Sequence, residues 1–135
     1  MSQKKVLIVD DSKLMRIIIK KILSSDDTFK VTSEAGNGIE ALTEIEKDIP
    51  DLIFLDIEMP EMDGVEALKE IRAKYSTKVV IVSSVAQMGS SRAAEVNQLG
   101  ADAIIEKPGG AVDPTLATQK GKEFIEIARK VVGLY

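Results

Sequence analysis

Apolar residues along the chain gather into five short runs: Val6 to Val9, Phe29 to Thr32, Leu52 to Leu55, Val79 to Val82 and Ala103 to Ile105. Four of the five are apolar without alternation, the pattern of strands covered on both faces. Their first residues lie 23, 23, 27 and 24 positions apart, which leaves room for one helix after each strand. The intervening stretches have helical period. Leu14, Ile18 and Ile22, flanked by Met15 and Ile19, form an i, i+4 stripe, and Lys20 and Lys21 sit near the end where a helix dipole favours cations. Asn37 with Glu40, and Asp63 with Glu66, have the spacing of capping boxes. They open helices with apolar faces at Ile39, Leu42 and Ile45, and at Val65, Leu68, Ile71 and Tyr75. A fourth helix near Ser90 to Leu99 offers only Ala93, Val96 and Leu99 for burial before Gly100, and is expected to be the least firmly packed. The last opens at Asp113-Pro114, is weakened early by Gly121, and buries Phe124, Ile127, Ala128 and Val131 before Gly133.

Strands joined by helical crossovers lie parallel, and right-handed crossovers on both faces give a doubly wound sheet. The expected fold is therefore α/β, a (βα)5 five-stranded parallel sheet in the flavodoxin-like order 2-1-3-4-5, with residues 1–135 forming one domain. Ligands of such sheets bind outside the carboxyl ends of the strands.

Composition narrows the chemistry. The 135 residues contain no histidine, cysteine or tryptophan, which excludes a Ser-His-Asp triad, a thiolate nucleophile, a disulfide and a Cys/His zinc site. A formal charge of −4 gives no global electrostatic reason to bind nucleic acid or an anionic membrane. The apolar runs fall far short of the roughly 18 residues that span a bilayer. Met1-Ser2-Gln3-Lys4-Lys5 leads straight into the first run without the pattern of an export signal, so a cytoplasmic location without membrane insertion is expected.

The strand ends carry the polar residues. The first run is followed by Asp10-Asp11, the third by Asp56, the fourth by Ser83-Ser84, and the fifth is followed closely by Lys107-Pro108. A lone Asp at a strand end is commonly a turn former or helix cap. Three carboxylates from two central strands are different, because their mutual repulsion calls for a proton or a cation. Oxygen ligands alone select a hard cation, and Mg2+ fits. A metal beside a carboxylate, with a lysine and a hydroxyl converging, suits a transferring phosphoryl group, with Asp56 as nucleophile.

The segments VLIVDDS, DLIFLDIEMPEMDG, VVIVSS and LGADAIIEKP together resemble the receiver domain of two-component response regulators over almost the whole chain. Within that family they are most similar to chemotaxis receivers, including the receiver half of the chemotaxis methylesterase. The resemblance implies that Asp56 is the phosphoacceptor, Asp11 a direct metal ligand, Asp10 a ligand through water and Glu58 a ligand through its backbone carbonyl. It also implies that Ser83 is the switch hydroxyl and Lys107 the phosphate partner, followed by a cis proline at Pro108. Mg2+ is the implied cofactor and a sensor histidine kinase the implied donor. The output would be a protein target bound through the face of helix 4, strand 5 and helix 5. This chain has no histidine and cannot supply the phosphohistidine itself. It departs from the family at Ile104, where Tyr or Phe is common, which bears on a switch aromatic rather than on the phosphorylation chemistry.

Other classes fit less well. A haloacid dehalogenase-like phosphatase needs a second Asp two residues after the nucleophile, where this chain has Glu58. A flavin carrier of this fold needs a hydroxyl-rich phosphate loop, and Asp10-Asp11-Ser12 repels phosphate. A receiver-like scaffold that is never phosphorylated would show a gap in the acidic set, the hydroxyl or the lysine, and there is none. No separate substrate turnover is expected. A receiver cut from a longer regulator, such as a methylesterase, remains open.

Overall fold

A computed structural model describes residues 3–84, 89–107 and 114–134, the side chains of 114–120 excepted. Five strands, β1 (Lys4–Val9), β2 (Phe29–Ala35), β3 (Leu52–Asp56), β4 (Lys78–Ser83) and β5 (Ala103–Glu106), form one parallel sheet in the order β2-β1-β3-β4-β5. The helices are α1 (Lys13–Leu23), α2 (Gly38–Lys47), α3 (Gly64–Lys74), α4 (Ser91–Gln98) and α5 (Pro114–Val131). This is the doubly wound architecture expected from the spacing of the apolar runs.

Each central strand feeds two cores because successive side chains point to opposite faces. Val6, Ile8, Phe54 and Val82 pack with Ile19 and Leu23 of α1 and with Phe124 and Ala128 of α5. The rings of Phe54 and Phe124 stack at 4.6 Å. Leu7, Val9, Ile53, Leu55 and Ile81 face the other way, against Ala41 and Ile45 of α2, Leu68 and Ile71 of α3, and Ala93 and Val96 of α4. Strands with both faces covered must be apolar throughout, which is why β1, β3 and β4 were readable as unbroken runs.

Side chains at Ser12, Asn37, Asp63 and Ser90 each accept the amide three residues on, so four helices start on a polar cap. Those starts fix where the loops from the strand ends must finish.

Several expectations are corrected. Leu14 is 63% exposed and Ile39 is 50% exposed. The α1 residues turned inward are Met15, Ile19, Ile22 and Leu23, so Met15, Ile19 and Ile22 of the expected stripe are kept, Leu23 is added and Leu14 turns outward. In α2 the buried row is Gly38, Ala41 and Ile45, which turns Ile39 outward. The β2 strand runs on to Ala35, past Thr32, because its upper half pairs with Leu7, Ile8 and Val9 after a register shift. Its Ser33 and Glu34 carry no apolar signal. Gly121 does not interrupt α5; a side chain there would meet Ile22 only at ordinary contact distance.

The last turn of α5 is tied to the α1–β2 turn. Arg129 Nη1 lies 3.0 Å from Asp26 Oδ2 and donates to Thr28 Oγ1 at 2.8 Å, while the Thr28 amide donates to Asp26 Oδ1 at 2.8 Å. The Thr28 hydroxyl holds the Asp26 carboxyl below its ordinary value, helped by the Thr28 amide and Arg129 and opposed by burial. Because the folded value lies below the unfolded one, this stabilisation is present above about pH 4 and is lost as pH falls through the lowered value. Arg129→Leu is expected to cost about 1 kcal/mol at pH 7, discounted for the exposure of the pair. Urea unfolding should show that difference shrinking toward pH 3; an equal cost at both values would contradict the assignment.

Candidate functional site

The carboxyl ends of β1, β3, β4 and β5 bring Asp10, Asp56, Ser83 and Lys107 to one edge of the sheet. Asp10 and Asp56 are buried, at 1% and 2% exposure, and Ser83 is fully buried. Lys107 Nζ lies 3.3 Å from Asp56 Oδ2 and 3.5 Å from Asp10 Oδ2. Its own amide donates to the Ser83 carbonyl at 2.8 Å, so β4 carries the lysine into place. The Ser83 hydroxyl donates to the Ser84 carbonyl at 3.3 Å. Asp11 is exposed at the mouth, yet one carboxylate oxygen from each of Asp10, Asp11 and Asp56 falls within 4.8 Å of the others.

This set fits a cation on two counts. The donors are all hard oxygens, and Asp10 Oδ2 and Asp56 Oδ1 are buried without a hydrogen-bond partner among the described residues. The 3.5 Å approach of Lys107 to Asp10 Oδ2 is thus an ion pair and not a hydrogen bond. Burial, reinforced by the charge of Asp10, pushes the Asp56 carboxyl up to about 7, against the pull of Lys107. Asp10 is also raised, chiefly by burial and against the Ser12 amide that donates to its Oδ1 at 2.9 Å. Burial pulls the Lys107 ammonium down, but the charges of Asp56 and Asp10 outweigh it and hold its value above normal. The lysine stays cationic, and the pocket still holds more negative charge than it can neutralise.

The loop after β3 is held from several sides. The Gly64 amide donates to the Ile57 carbonyl at 2.7 Å and the Gly38 amide to the Met62 carbonyl at 2.9 Å. Glu61 takes a left-handed backbone, φ 65°, and belongs to this loop. Met59 and Met62 pack on the α2–α3 side of the core. Asp63 Oδ1 caps α3 while Oδ2 pairs with Arg92 of α4. Glu58 is exposed and lies outside the acidic group. Ile104 is half-buried against the α2–α3–α4 core and pairs in register with Ile81. Pro108, with its expected cis bond, Gly109, Gly110, Met88 and most of the segment 85–90 lie outside the described residues.

Two residues at this site escaped the sequence reading. Arg16 of α1 donates to the Asp10 carbonyl, a bond that no local sequence pattern signals. Gly64 touches the Asp56 backbone; the signal was a glycine directly after the helix cap, where its low helix propensity needs a reason.

A parallel doubly wound sheet with an acid cluster and a lysine at its carboxyl edge defines an α/β module with a charged site at the strand ends. The chain belongs to the response regulator receiver domain family, whose model matches residues 6–127, and it is a receiver domain of two-component systems. It is 43% identical over 112 residues to protein-glutamate methylesterase/protein-glutamine glutaminase 1 of Syntrophomonas wolfei, covering 83% of this chain and 32% of that protein. The chain thus spans about a third of that relative's length. The crystal structure of the response regulator domain of Thermotoga maritima CheB superposes with a TM-score of 0.85 at 37% identity, covering 99% of each chain. A chain in the crystal structure of the P1 domain of CheA3 in complex with CheY6 from R. sphaeroides matches with a TM-score of 0.79 at 40% identity, covering 97% of this chain and 98% of that one. No helix among the described residues is long and apolar enough to cross a membrane.

Proposed function

We propose that this receiver, read as one domain over residues 1–135, is a cytoplasmic phosphorylation switch in which Asp56 accepts a phosphoryl group from a sensor histidine kinase. Mg2+ would be held by Asp10, Asp11, Asp56 and the backbone carbonyl of Glu58. The observation that carries this reading is the buried Oδ1 of Asp56, without a hydrogen-bond partner among the described residues, beside Lys107 and two further carboxylates. The P1 domain bound to CheY6 in R. sphaeroides supports a comparable kinase domain as donor.

In the proposed step an Asp56 carboxylate oxygen attacks phosphorus. The P–N bond to the donor imidazole breaks, its electron pair goes to nitrogen, and that nitrogen takes up a proton from solvent. Bound Mg2+ would neutralise phosphoryl oxygens and favour the ionised Asp56. Lys107 is freed from its carboxylate to pair with the new phosphate. Ser83 meets a phosphoryl oxygen and carries the change into the segment leading to α4. The output is an altered affinity for a protein bound at the α4–β5–α5 face, of which β5 and α5 form a groove of about 230 Å³ lined by Ile104, Ile105, Glu106, Glu123, Phe124 and Ile127. No separate substrate turnover is assigned. The methylesterase relatives favour one second reading, in which this receiver regulates a further domain of a longer chain.

Intact mass after incubation with a small phosphodonor tests the central claim. The parent protein should gain one phosphoryl group with Mg2+ and essentially none with chelator, and Asp56→Asn should gain none. Labelling of Asp56→Asn, or full labelling in chelator, would overturn the assignment.

A further inference from the structure

Asp10 and Asp11 must do different things from adjacent positions. One carboxylate is buried beside Lys107 and the other is exposed, yet both converge with Asp56 within 4.8 Å. Their separation is set by one peptide plane, since the Asp10 carbonyl and the Asp11 Cα move as a unit about the Asp10 ψ angle. Holding that carbonyl therefore holds Asp11.

The Asp10 amide is fixed by the Ala35 carbonyl of β2 at 3.0 Å. Its carbonyl, where the chain leaves the sheet for α1, accepts Arg16 Nη1 at 2.5 Å. The same guanidinium donates from Nε to Glu34 Oε1 at 3.2 Å, and Glu34 is held in turn by Lys20. The Arg16 side chain is only 18% exposed. A planar fork suits this task because one nitrogen can be locked by Glu34 while another grips the carbonyl, a division that a lysine ammonium reproduces poorly.

We infer that Arg16 is a positioning residue for the acidic pocket, fixing the Asp10–Asp11 peptide plane so that the carboxylates converge on one divalent cation. The inference rests on the metal-site reading above and extends it to a side chain whose bonded partners are a carbonyl and Glu34. It makes a prediction whose sign separates it from plain electrostatics. By Coulomb's law alone, removing a positive charge near the pocket strengthens binding of a dication. If Arg16 positions the peptide, removing it weakens that binding.

The experiment is a Mg2+ titration without phosphodonor, followed by backbone amide chemical shifts, on the parent, Arg16→Met, Arg16→Lys and Asp11→Asn, with urea unfolding to show that each sample is folded. Arg16→Met should bind Mg2+ about tenfold more weakly than the parent, equivalent to about 1.4 kcal/mol, and Arg16→Lys should fall between them. Equal or tighter binding by folded Arg16→Met overturns the inference while leaving the metal site intact. A parent that shows no saturable binding, or an Asp11→Asn variant that binds undiminished, overturns the metal-site reading itself and the inference with it. Should Arg16→Met fail to fold, Arg16→Gln carries the same expectation and the same overturning result.

Discussion

Replacing Gly64 with alanine is expected to destabilise the protein by about 3 kcal/mol or more, the scale of a severe steric insertion. A Cβ at this position would stand 2.1 Å from the Asp56 carbonyl oxygen, 2.8 Å from the Ile57 Cα and 2.9 Å from the Asp56 carbonyl carbon. All three are backbone atoms, so no side chain can rotate away. The Gly64 amide is also bonded to the Ile57 carbonyl at 2.7 Å, and relief of the clash means breaking that bond or moving the end of β3. Alanine normally favours a helix over glycine by about 1 kcal/mol, and here that gain is overwhelmed. Gly121→Ala, inside α5 and with only ordinary contact to Ile22 at 3.7 Å, should show the opposite sign and stabilise by about 0.5–1 kcal/mol. Urea unfolding of both variants decides the point. Because the clash falls on Asp56 itself, whatever Gly64→Ala protein folds should also take up phosphoryl groups more slowly; parent-like stability and labelling would show that the loop yields easily.

The contrast between these glycines marks the boundary of what the sequence discloses. Both sit in helices, and local pattern makes both look unfavourable. Only the tertiary approach of α3 to the end of β3 gives Gly64 its function. The same boundary runs through α1, where Leu14, Met15, Ile18, Ile19 and Ile22 contain two overlapping i, i+4 rows. Periodicity alone could not choose between them, and packing turned the Met15–Ile19 row inward. Strand β2 was legible only where it is apolar, since it lies at the end of the sheet and its Ser33 and Glu34 are only half-buried. By contrast, Asp10, Asp56, Ser83 and Lys107 were legible because each ends or follows a strand, and a parallel sheet places every such end on one edge. The topology does the assembling, so position along the chain suffices. Arg16 reaches that edge from a helix, through a hydrogen bond to a backbone carbonyl, and nothing in its immediate sequence announces such a bond.

Removing the charge of Asp56 is expected to stabilise the protein in the absence of divalent metal. A buried carboxyl held at about 7, against an ordinary value near 4, means that the folded chain retains a proton that the unfolded chain has released. The penalty is absent below about pH 4, grows as pH rises toward 7, and is complete above it, where it amounts to roughly 4 kcal/mol. The raised Asp10 works in the same direction. Asp56→Asn, with the same shape and no charge to bury, should therefore be about 2–4 kcal/mol more stable than the parent at pH 8 in chelator. The parent should gain on the order of 1 kcal/mol on moving from pH 8 to pH 6, and the variant distinctly less, since only Asp10 remains to contribute. Adding Mg2+ at pH 8 should close most of the gap by stabilising the parent more than the variant, because a cation between the carboxylates replaces the missing proton. Denaturant unfolding under these conditions reads all of the terms. If Asp56→Asn were no more stable than the parent at pH 8, or gained as much as the parent on acidification, the pocket would not be strained by its own charge. The energetic case for a cation there would then fail.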